Sequence, residues 1–419
     1  MTISVPRGTK DILPDEALIW QRVESKAKLL FDAYSYNEIR TPIFESSELF
    51  LRGIGEESDI VSKEMYSFTD RSERELTLRP EGTASIARAY INHNFHRHSS
   101  KQKLYYSGPM FRYERPQAGR YRQFHQMGIE NIGSKSPSAD AEVISIGYQL
   151  FKSLGLKNLT VNLNTIGDIS SRSKIGELVK DHVNKKDTSE FEVRFFETLN
   201  KNPLRLLDSK SKKIQELFSD FPDIYDVLNE ESKNYFDKVC HYLKILEVPF
   251  KVNSKLVRGL DYYSHTVFEI ISDELGAQNT LCGGGRYDEL IEQLGGPKVP
   301  AIGFAFGMER LILLLQSQTI SFSKLKPIFI APIHESAYEY SLLLSQRLRL
   351  LGINCFLDDT PSSLGSQLKK ASNLNATTVI IIGEEEVNNK TVTLKNLKTS
   401  DQKTIALSDI ETQLKDTHV

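Results

Sequence analysis

The residues with the clearest chemical potential lie between Phe111 and Glu130, in the run FRYERPQAGRYRQFHQMGIE. This run places four arginines among aromatic residues: Arg112, Arg115, Arg120 and Arg122. The turn-type residues 116–119 predict two strands joined by a turn, with Arg112 and Glu114 on one strand face. Such a face is either a solvated charged hairpin or a binding site, since planar guanidinium groups suit bidentate binding of phosphate or carboxylate. For an isolated hairpin the solvated surface would be favoured, and the binding site is favoured only with support from the rest of the chain.

Two predicted helix starts carry further candidates. Leu78–Thr83 (LRPEGT) leads into a helix, and Glu81 and Thr83 there are either helix caps or substrate ligands. The residues alone leave both possibilities open. Ala301–Arg310 is predicted as a strand that enters a second helix. A cation is disfavoured at a helix N-terminus, so Arg310 indicates an anion that both the guanidinium and the helix end would bind.

Two segments rich in glycine and tyrosine follow the middle of the chain. Lys255–Glu269 contains RGLDYY, and Cys282–Asp288 reads CGGGRYD. A glycine run lets a backbone approach a ligand or a neighbouring strand closely. It is not a Walker A loop, because no Gly-Lys-Ser/Thr ends it. Taken alone, Arg258 could be a simple turn arginine, and the tyrosines could be packing residues of a strand.

These segments together resemble a known family, and this resemblance favours the binding site over the solvated hairpin. Phe111-Arg112-x-Glu114, a loop and a second strand are similar to motif 2 of the class II aminoacyl-tRNA synthetases, and the string ending in Gly307-Met308-Glu309-Arg310 is similar to motif 3. RGLDYY and GGGRYD are particular to the histidyl-tRNA synthetase family, and all the motifs occur in that family's order. A long helix from Asp15 to about Tyr34 and a proline-bearing strand, Ile39–Phe44, resemble motif 1, which forms the homodimer interface in the family.

The resemblance implies a histidine–tRNA ligase that works in two steps. The histidine carboxylate attacks the α-phosphate of ATP, and the terminal adenosine of histidine tRNA then takes the histidyl group. ATP would act with Mg²⁺ as a substrate complex, with no tightly bound cofactor and no resident metal. Partners would be L-histidine, ATP, histidine tRNA and a second copy of the chain, without a membrane.

The resemblance also implies roles for residues of this chain. Catalysis would fall to Arg112 and Arg258, around the α-phosphate. Histidine would be bound by Glu81, Gly82, Thr83, Gln126, Glu130, Tyr262 and Tyr263. ATP would be bound by Arg112, Glu114, Phe124, Arg258 and Arg310, with Phe124 stacked beneath adenine. The tRNA acceptor end would meet Arg115, Gln117 and Arg120.

The implied fold class is α+β. A catalytic core of antiparallel sheet flanked by helices would carry a helical insertion and a C-terminal α/β anticodon-binding domain. We expect the core at 1–168 and 243–325, the insertion at 169–242, and the anticodon-binding domain at 326–419. The C-terminal boundary follows from Lys326-Pro327, after which strands and helices alternate. The insertion is rich in charge, and we expect a small core of its own: Phe191, Phe195, Phe196, Leu217, Phe218 and Tyr225.

Several local elements are also predicted. Tyr66–Asp70 and Glu75–Arg79 are predicted as a strand pair, and Leu159–Leu163 as a further strand. A helix is expected over Pro137–Leu154 with Ser138 as a candidate cap, and Asp15 is a candidate cap of the first helix.

Composition restricts the class of protein. A chain of 419 residues predicts two or three domains, and a net charge of -2 argues against a general nucleic-acid coat. The three cysteines lie far apart, without a CxxC pair, which favours a reducing compartment. The N-terminus has no signal-peptide pattern, so we expect a cytoplasmic protein.

Two other functions stay open. One is a non-catalytic relative of these synthetases that regulates ATP phosphoribosyltransferase; Arg258, Arg310 and the segment after Lys326 argue against it. The other is an adenylating ligase on a similar fold whose acceptor is not tRNA. The motif 2 loop and the C-terminal domain argue for tRNA.

Overall fold

The structure is a computed structural model that describes residues 3–55, 58–209, 211–258, 260–272, 279–318 and 326–418, with side chains as far as Leu414. Gly259 of the RGLDYY motif and the expected boundary at residue 325 lie outside these ranges. The chain forms two units, Met1–Ile320 and Ser321–Val419. In the parts of the chain that the structure describes, no helix is both long and apolar enough to cross a membrane.

The first unit contains eleven of the described strands and twelve of the described helices. The strands are β1 (Asn37–Glu38), β2 (Phe44–Ser46), β3 (Tyr66–Thr69), β4 (Glu75–Leu78), β5 (Gln102–Phe111), β6 (Gln123–Ile132), β7 (Leu159–Thr165), β8 (Phe250–Val252), β9 (Ser264–Ser272), β10 (Thr280–Arg286) and β11 (Ala301–Gly307). The helices are α1 (Pro14–Ala33), α2 (Ser47–Ile54), α3 (Thr83–Asn92), α4 (Phe95–His98), α5 (Pro137–Ser153), α6 (Ile169–Asn184), α7 (Val193–Lys201), α8 (Lys212–Leu217), α9 (Ile224–Val227), α10 (Glu230–Ile245), α11 (Leu290–Gln293) and α12 (Met308–Ser317).

An eight-stranded sheet forms the centre of this unit, in the order β1-β5-β6-β11-β10-β9-β7-β8. Its strands are antiparallel except for the outer pairs β1–β5 and β7–β8. A smaller antiparallel sheet has the order β2-β4-β3, and its β3–β4 pair confirms the predicted strand pair. The predicted α+β class with a mainly antiparallel core sheet is therefore confirmed.

The second unit contains a five-stranded sheet in the order β13-β12-β14-β15-β16. Its strands are β12 (Ile328–Pro332), β13 (Cys355–Leu357), β14 (Thr378–Ile382), β15 (Thr391–Asn396) and β16 (Gln402–Ala406), and its helices are α13 (Tyr338–Leu350), α14 (Leu364–Asn373), α15 (Glu384–Asn389) and α16 (Ile410–His418). β12 is parallel to β13 and β14, and the other pairs are antiparallel. The sheet is therefore mixed, and it belongs to the α/β domain that the alternating strand and helix patterns predict.

Residues 169–245 form five helices, α6 to α10, after β7. The expectation of a separate small core here is wrong. Phe195, Leu217 and Phe218 are buried in the same apolar cluster as Tyr262 and Tyr287 of the central sheet region. Phe196 also differs from the expectation, because it is 37% exposed. The helices are therefore packed continuously with the rest of the first unit.

The predicted strand over Ile39–Phe44 is also wrong. β1 ends at Glu38 and β2 begins only at Phe44. Arg79 explains the gap: its Nη1 donates to the carbonyl oxygen of Thr41 at 2.9 Å and lies 3.4 Å from that of Pro42. These carbonyls pair with a guanidinium instead of a neighbouring strand, and proline has no N–H to offer to a sheet.

Two predicted helix caps each differ by two residues from the caps in the structure. α1 begins at Pro14 after Leu13, so Asp15 lies in the first turn instead of at the cap. α5 is capped by Ser136, whose side chain accepts from the backbone N–H of Ser138. In both cases a proline takes the first helical position, where its missing N–H costs nothing.

Candidate functional site

A small pocket lies over the central strands β6, β11 and β10. Its volume is about 150 Å³. The described residues that line it are Glu81, Thr83, Arg112, Gln126, Glu130, Arg258, Leu260, Tyr262, Tyr263, Gly283, Tyr287, Gly303, Phe304 and Ala305. It therefore brings together predicted residues from segments that are far apart along the chain.

Glu130 is the most deeply buried acid of the pocket, with 1% of its surface exposed. One carboxyl oxygen accepts a hydrogen bond from Thr83 Oγ1 at 2.7 Å, and the other accepts from the hydroxyl of Tyr287. Burial raises the pKa of Glu130 to about 8, although both hydrogen bonds act in the opposite direction. The pocket thus holds a carboxyl group whose ionisation would be favoured by an incoming N–H donor or cation.

The strand opposite Glu130 leaves room for its side chain. Glu130 pairs with Gly303 across β6 and β11. A Cβ atom at Gly303 would lie 1.8 Å from Oε2 of Glu130, which is far inside van der Waals contact. Glycine at this position is therefore required by the close approach of the carboxyl group.

Glu81 acts as a helix cap, which is one of the two possibilities that the sequence left open. Its two carboxyl oxygens accept hydrogen bonds from the backbone N–H groups of Thr83 and Ala84, each at 2.7 Å, so it caps α3. It is also buried and lines the pocket, together with Thr83. Burial raises the pKa of Glu81, and the two backbone hydrogen bonds oppose that rise. Gly82 is the residue that precedes the helix.

Arg258 lies flat against the bare backbone of β10. A Cβ atom at Gly283 would be 2.0 Å from Nη2 of Arg258 and 2.4 Å from its Cζ. Nη1 of Arg258 donates to Glu269, the residue that pairs with Gly283 on β9. Thr280 donates to the other carboxyl oxygen of Glu269 at 2.9 Å. The position of the guanidinium is thus fixed by a glycine beneath it and a carboxylate beside it.

Arg112 approaches the pocket from the other side. Its Nε donates to the carbonyl oxygen of Pro80 at 2.8 Å, and its guanidinium lies 5.2 Å from the ring centre of Phe124. Oε1 of Glu114 lies 3.8 Å from Nη1 of Arg112. Both arginines with an expected catalytic role therefore line one pocket, next to the two buried glutamates.

The predicted hairpin geometry needs a correction. β5 ends at Phe111 and β6 begins at Gln123, so Arg112 and Glu114 lie in a loop and not on alternating strand positions. The loop is longer than the predicted turn at 116–119, although an isolated bridge between Gln117 and Arg120 closes its tip. Within this loop Arg115 and Gln117 are exposed, and Arg120 is half-buried, 3.4 Å from Glu114.

Arg310 lies at the start of α12, as predicted. Its Nη1 donates to the carbonyl oxygen of Thr280 at 2.9 Å. Neither Arg310 nor Phe124 is among the described residues that line the small pocket. Glu309 connects α12, which carries Arg310, to β6, which carries Phe124. Its two carboxyl oxygens accept hydrogen bonds from the backbone N–H of His125 at 2.9 and 3.0 Å.

Sequence reasoning missed three residues that shape this site. The hydroxyl of Tyr287 donates to Glu130, and Glu269 accepts a hydrogen bond from Arg258. Tyr106 packs against Gly82, where a Cβ atom would lie 2.3 Å from the Tyr106 ring. Tyr287 stands in the GGGRYD string, which the sequence marked without giving this tyrosine a role. No local signal marks Tyr106 or Glu269, because their contacts depend on pairing between distant strands.

Family models match both units of the chain. Residues 8–311 match the model described as histidyl-tRNA synthetase, and residues 327–417 match the model described as anticodon binding domain. The first match alone covers well over half of the chain. The predicted family resemblance is therefore confirmed.

Individual relatives agree with these models. The chain is 48% identical to a histidine–tRNA ligase of Cyanothece sp. over 409 residues, which is 98% of this chain and 95% of that protein. It is 46% identical to a histidine–tRNA ligase of Geobacillus sp., covering 99% of each. The crystal structure of apo histidyl-tRNA synthetase from S. aureus superposes with a TM-score of 0.83 at 39% identity, covering 98% of each chain.

Proposed function

The chain belongs to the histidyl-tRNA synthetase family, and we propose that it joins histidine to histidine tRNA through a histidyl-adenylate. In the first step a carboxylate oxygen of histidine attacks the α-phosphorus of ATP. The bond to the bridging oxygen breaks, and pyrophosphate leaves with its Mg²⁺. In the second step a ribose hydroxyl of the tRNA terminal adenosine attacks the activated carbonyl, and AMP leaves.

One observation carries this proposal. Arg112 and Arg258 line the same pocket as Glu81 and Glu130, so a compact polar pocket adjoins a pair of cations. In the transition state negative charge concentrates around the α-phosphate, and fixed cations there stabilise it. An amino acid held in the pocket would present its carboxylate to an ATP held at the arginines.

Histidine has a physical fit to the pocket. We assign its α-ammonium to Glu81, Thr83 and Gln126, and its imidazole nitrogens to Glu130 and Tyr263, with Tyr262 completing the wall and Gly82 between Glu81 and Thr83. The side-chain oxygen of Gln126 is buried, and the described residues offer it no hydrogen-bond partner, so a ligand donor would satisfy it. An apolar amino acid would leave these groups unpaired and would be rejected.

ATP and tRNA would occupy the more open side of the site. We assign the phosphates to Arg112, Arg258 and Arg310 and adenine to the face of Phe124, with Glu114 beside them. Arg115, Gln117 and Arg120 lie on the loop between β5 and β6, where they would meet the tRNA acceptor end. The C-terminal unit would bind the anticodon, consistent with its family model.

The experiment that tests the proposal is ATP–pyrophosphate exchange with each of the twenty amino acids, followed by transfer to histidine tRNA. We expect exchange with histidine alone, and then charging of the tRNA. Histidine binding without exchange would instead indicate the regulatory relative of these enzymes. Exchange without charging would indicate an adenylating ligase with another acceptor.

We also propose a homodimer through the β2-β4-β3 sheet. Phe44 and Phe68 on this sheet are large apolar residues with 53% and 43% of their surface exposed. They line a cleft with Leu51, Met65 and Leu76. Large apolar side chains that are exposed close to one another commonly mark a protein–protein interface.

Replacing Phe44 and Phe68 together with aspartate should convert a dimer into a monomer, because two charges would have to be buried in the interface. Sedimentation velocity would measure the change. Phe356→Asp is the matched control, since Phe356 is 41% exposed but belongs to the second unit. A wild-type protein that sediments as a monomer would refute the proposal.

We place the reaction in the cytoplasm. Cys240, Cys282 and Cys355 are all free thiols. Unpaired cysteines, two of them buried, suit a reducing compartment.

A further inference from the structure

A fully buried ion pair lies behind the histidine pocket. Arg286 at the end of β10 is 1% exposed, and Asp140 on α5 is 0% exposed. Nη2 of Arg286 donates to Oδ1 of Asp140, and its Nε lies 3.4 Å from Oδ2. Nη1 donates to the carbonyl oxygen of Ser134 at 2.9 Å. Burying both charges carries a large desolvation cost, and apolar residues of similar size often stabilise a fold equally well.

The neighbours of Arg286 along the chain suggest what the ion pair does. Arg286 is the last residue of β10, and Asp288 lies two residues further on, in the turn that follows. Nη1 of Arg286 lies 3.0 Å from Oδ1 of Asp288, and that oxygen also accepts from the backbone N–H of Ala301 at 3.0 Å. Tyr287 stands between them and its hydroxyl reaches Glu130 in the pocket.

The backbone of Tyr287 is held as well. Its N–H donates to the carbonyl oxygen of Ala301 at 2.8 Å. Arg286 and Asp288 thus fix the chain on both sides of Tyr287, while Asp140 fixes Arg286. A tyrosine hydroxyl that must meet a buried carboxyl group needs this precision, because a displacement of about 1 Å breaks the hydrogen bond.

The same ion pair is contacted from α10. The hydroxyl of Tyr235 donates to Oδ1 of Asp140 at 3.1 Å, and the Arg286 guanidinium lies 5.5 Å from the Tyr235 ring centre. α10 is the last helix of the segment that follows β7. The support of Tyr287 therefore extends into the helices that the sequence marks as an insertion.

We propose that Arg286, Asp140 and Asp288 are positioning residues for histidine specificity, which act by holding the Tyr287 hydroxyl against Glu130, with Tyr235 as their outer support. The inference rests on the proposed function, because it assumes that histidine occupies the Glu130 pocket. It gives the arginine and aspartate of GGGRYD a role that involves no contact with substrate.

A double-mutant cycle of Arg286→Lys and Tyr287→Phe tests this role. Lysine keeps the charge but loses the forked guanidinium, and phenylalanine removes only the hydroxyl. In histidine-dependent exchange we expect each single variant to raise the histidine KM about tenfold, with the ATP KM changed by less than about twofold. The double variant should be no worse than Tyr287→Phe, since Arg286 acts through Tyr287.

If the histidine KM of the double variant rises by the product of the two single-variant increases, the proposal is wrong. An equal rise in the KM for ATP would also overturn it, because a general loss of structure affects both substrates. If wild-type protein gives no histidine-dependent exchange, the proposed function fails. If wild type exchanges and the cycle is multiplicative, only the positioning role fails.

A milder pair of variants covers the case in which Arg286→Lys does not fold. Tyr235→Phe removes one hydroxyl bond to Asp140 and should raise the histidine KM about threefold. Tyr225→Phe is the matched control: its hydroxyl donates to Asp237 at 2.9 and 3.0 Å, within the same helical segment but away from Arg286. Equal KM values for the two variants would count against the proposal.

Discussion

Replacing Gly283 with alanine should lower kcat for histidine-dependent pyrophosphate exchange by about 10²- to 10³-fold, the usual loss when one fixed donor to a transition-state anion is removed. The new Cβ would lie 2.0 Å from Nη2 of Arg258, so the guanidinium must leave its place over β10. The three heavy atoms nearest to that Cβ all belong to Arg258, and none belongs to Glu130 or Tyr263, which we assign to the imidazole. The KM for histidine should therefore change by less than about threefold.

Gly365→Ala is the matched control for this substitution. A Cβ at Gly365 has no described atom within 4 Å, so exchange should proceed at the wild-type rate. The variant Arg258→Ala should lose as much activity as Gly283→Ala, and the double variant should lose no more than either. A folded Gly283→Ala protein with wild-type kcat would remove Arg258 from the catalytic role.

Replacing Glu130 with glutamine should raise the histidine KM by about tenfold to a hundredfold while leaving the ATP KM nearly unchanged. The amide keeps the shape of the carboxyl group but cannot become the anion that accepts the imidazole N–H. Steady-state exchange kinetics with each substrate varied in turn would measure both constants. An equal rise in the two KM values would contradict the placement of histidine against Glu130.

The carboxyl group of Glu130 should also couple histidine binding to the release of a proton. With a pKa of about 8, Glu130 is mostly protonated at pH 7. Bonding to the imidazole N–H favours the ionised form, so histidine binding should release a proton. Titration calorimetry at pH 7 in phosphate and in Tris would show this release, and Glu130→Gln should abolish it. Proton uptake by the wild type would refute the prediction.

The contribution of Glu130 to the free energy of unfolding should decrease as the pH rises. The folded pKa of Glu130 is about 8 against an ordinary value of 4.5, so between these values the folded state holds more protons than the unfolded state. The free energy of unfolding of wild type, relative to Glu130→Gln, should therefore fall as pH rises from 5 to 8. The slope is at most about 1.4 kcal/mol per pH unit. Denaturation of both proteins across this range would measure it.

The motifs of the sequence predicted much of the site because the family's signature residues are local strings. Glu81 with Thr83, and Tyr262 with Tyr263, are close neighbours in sequence, and the resemblance identified each group as a whole. The alternating elements after Lys326 were predictable for a different reason, since apolar strand and helix patterns there are short and well separated. The structure brings six of the seven predicted histidine-binding residues to one pocket, and Gly82 is not among the described residues that line it.

The supporting residues could not be predicted, because their contacts depend on strand register. Glu269 meets Arg258 only because β9 pairs with β10 at Gly283. Tyr287 meets Glu130 across 157 positions of sequence. The error at Pro42 has a related cause: the buried side chain of Arg79 takes backbone oxygens of Thr41 and Pro42 that a local pattern would give to a sheet.

The order of strands in the eight-stranded sheet has a consequence for how the protein is made. β11, the last of these strands along the chain, lies in the middle of the sheet between β6 and β10. A ribosome that has released only the first 300 residues has therefore delivered two half-sheets with unpaired inner edges. Such edges are prone to pair wrongly or aggregate until the missing strand arrives. Glu130 and Gly303 face each other only after that insertion, so the strand that completes the sheet also completes the pocket around Glu130.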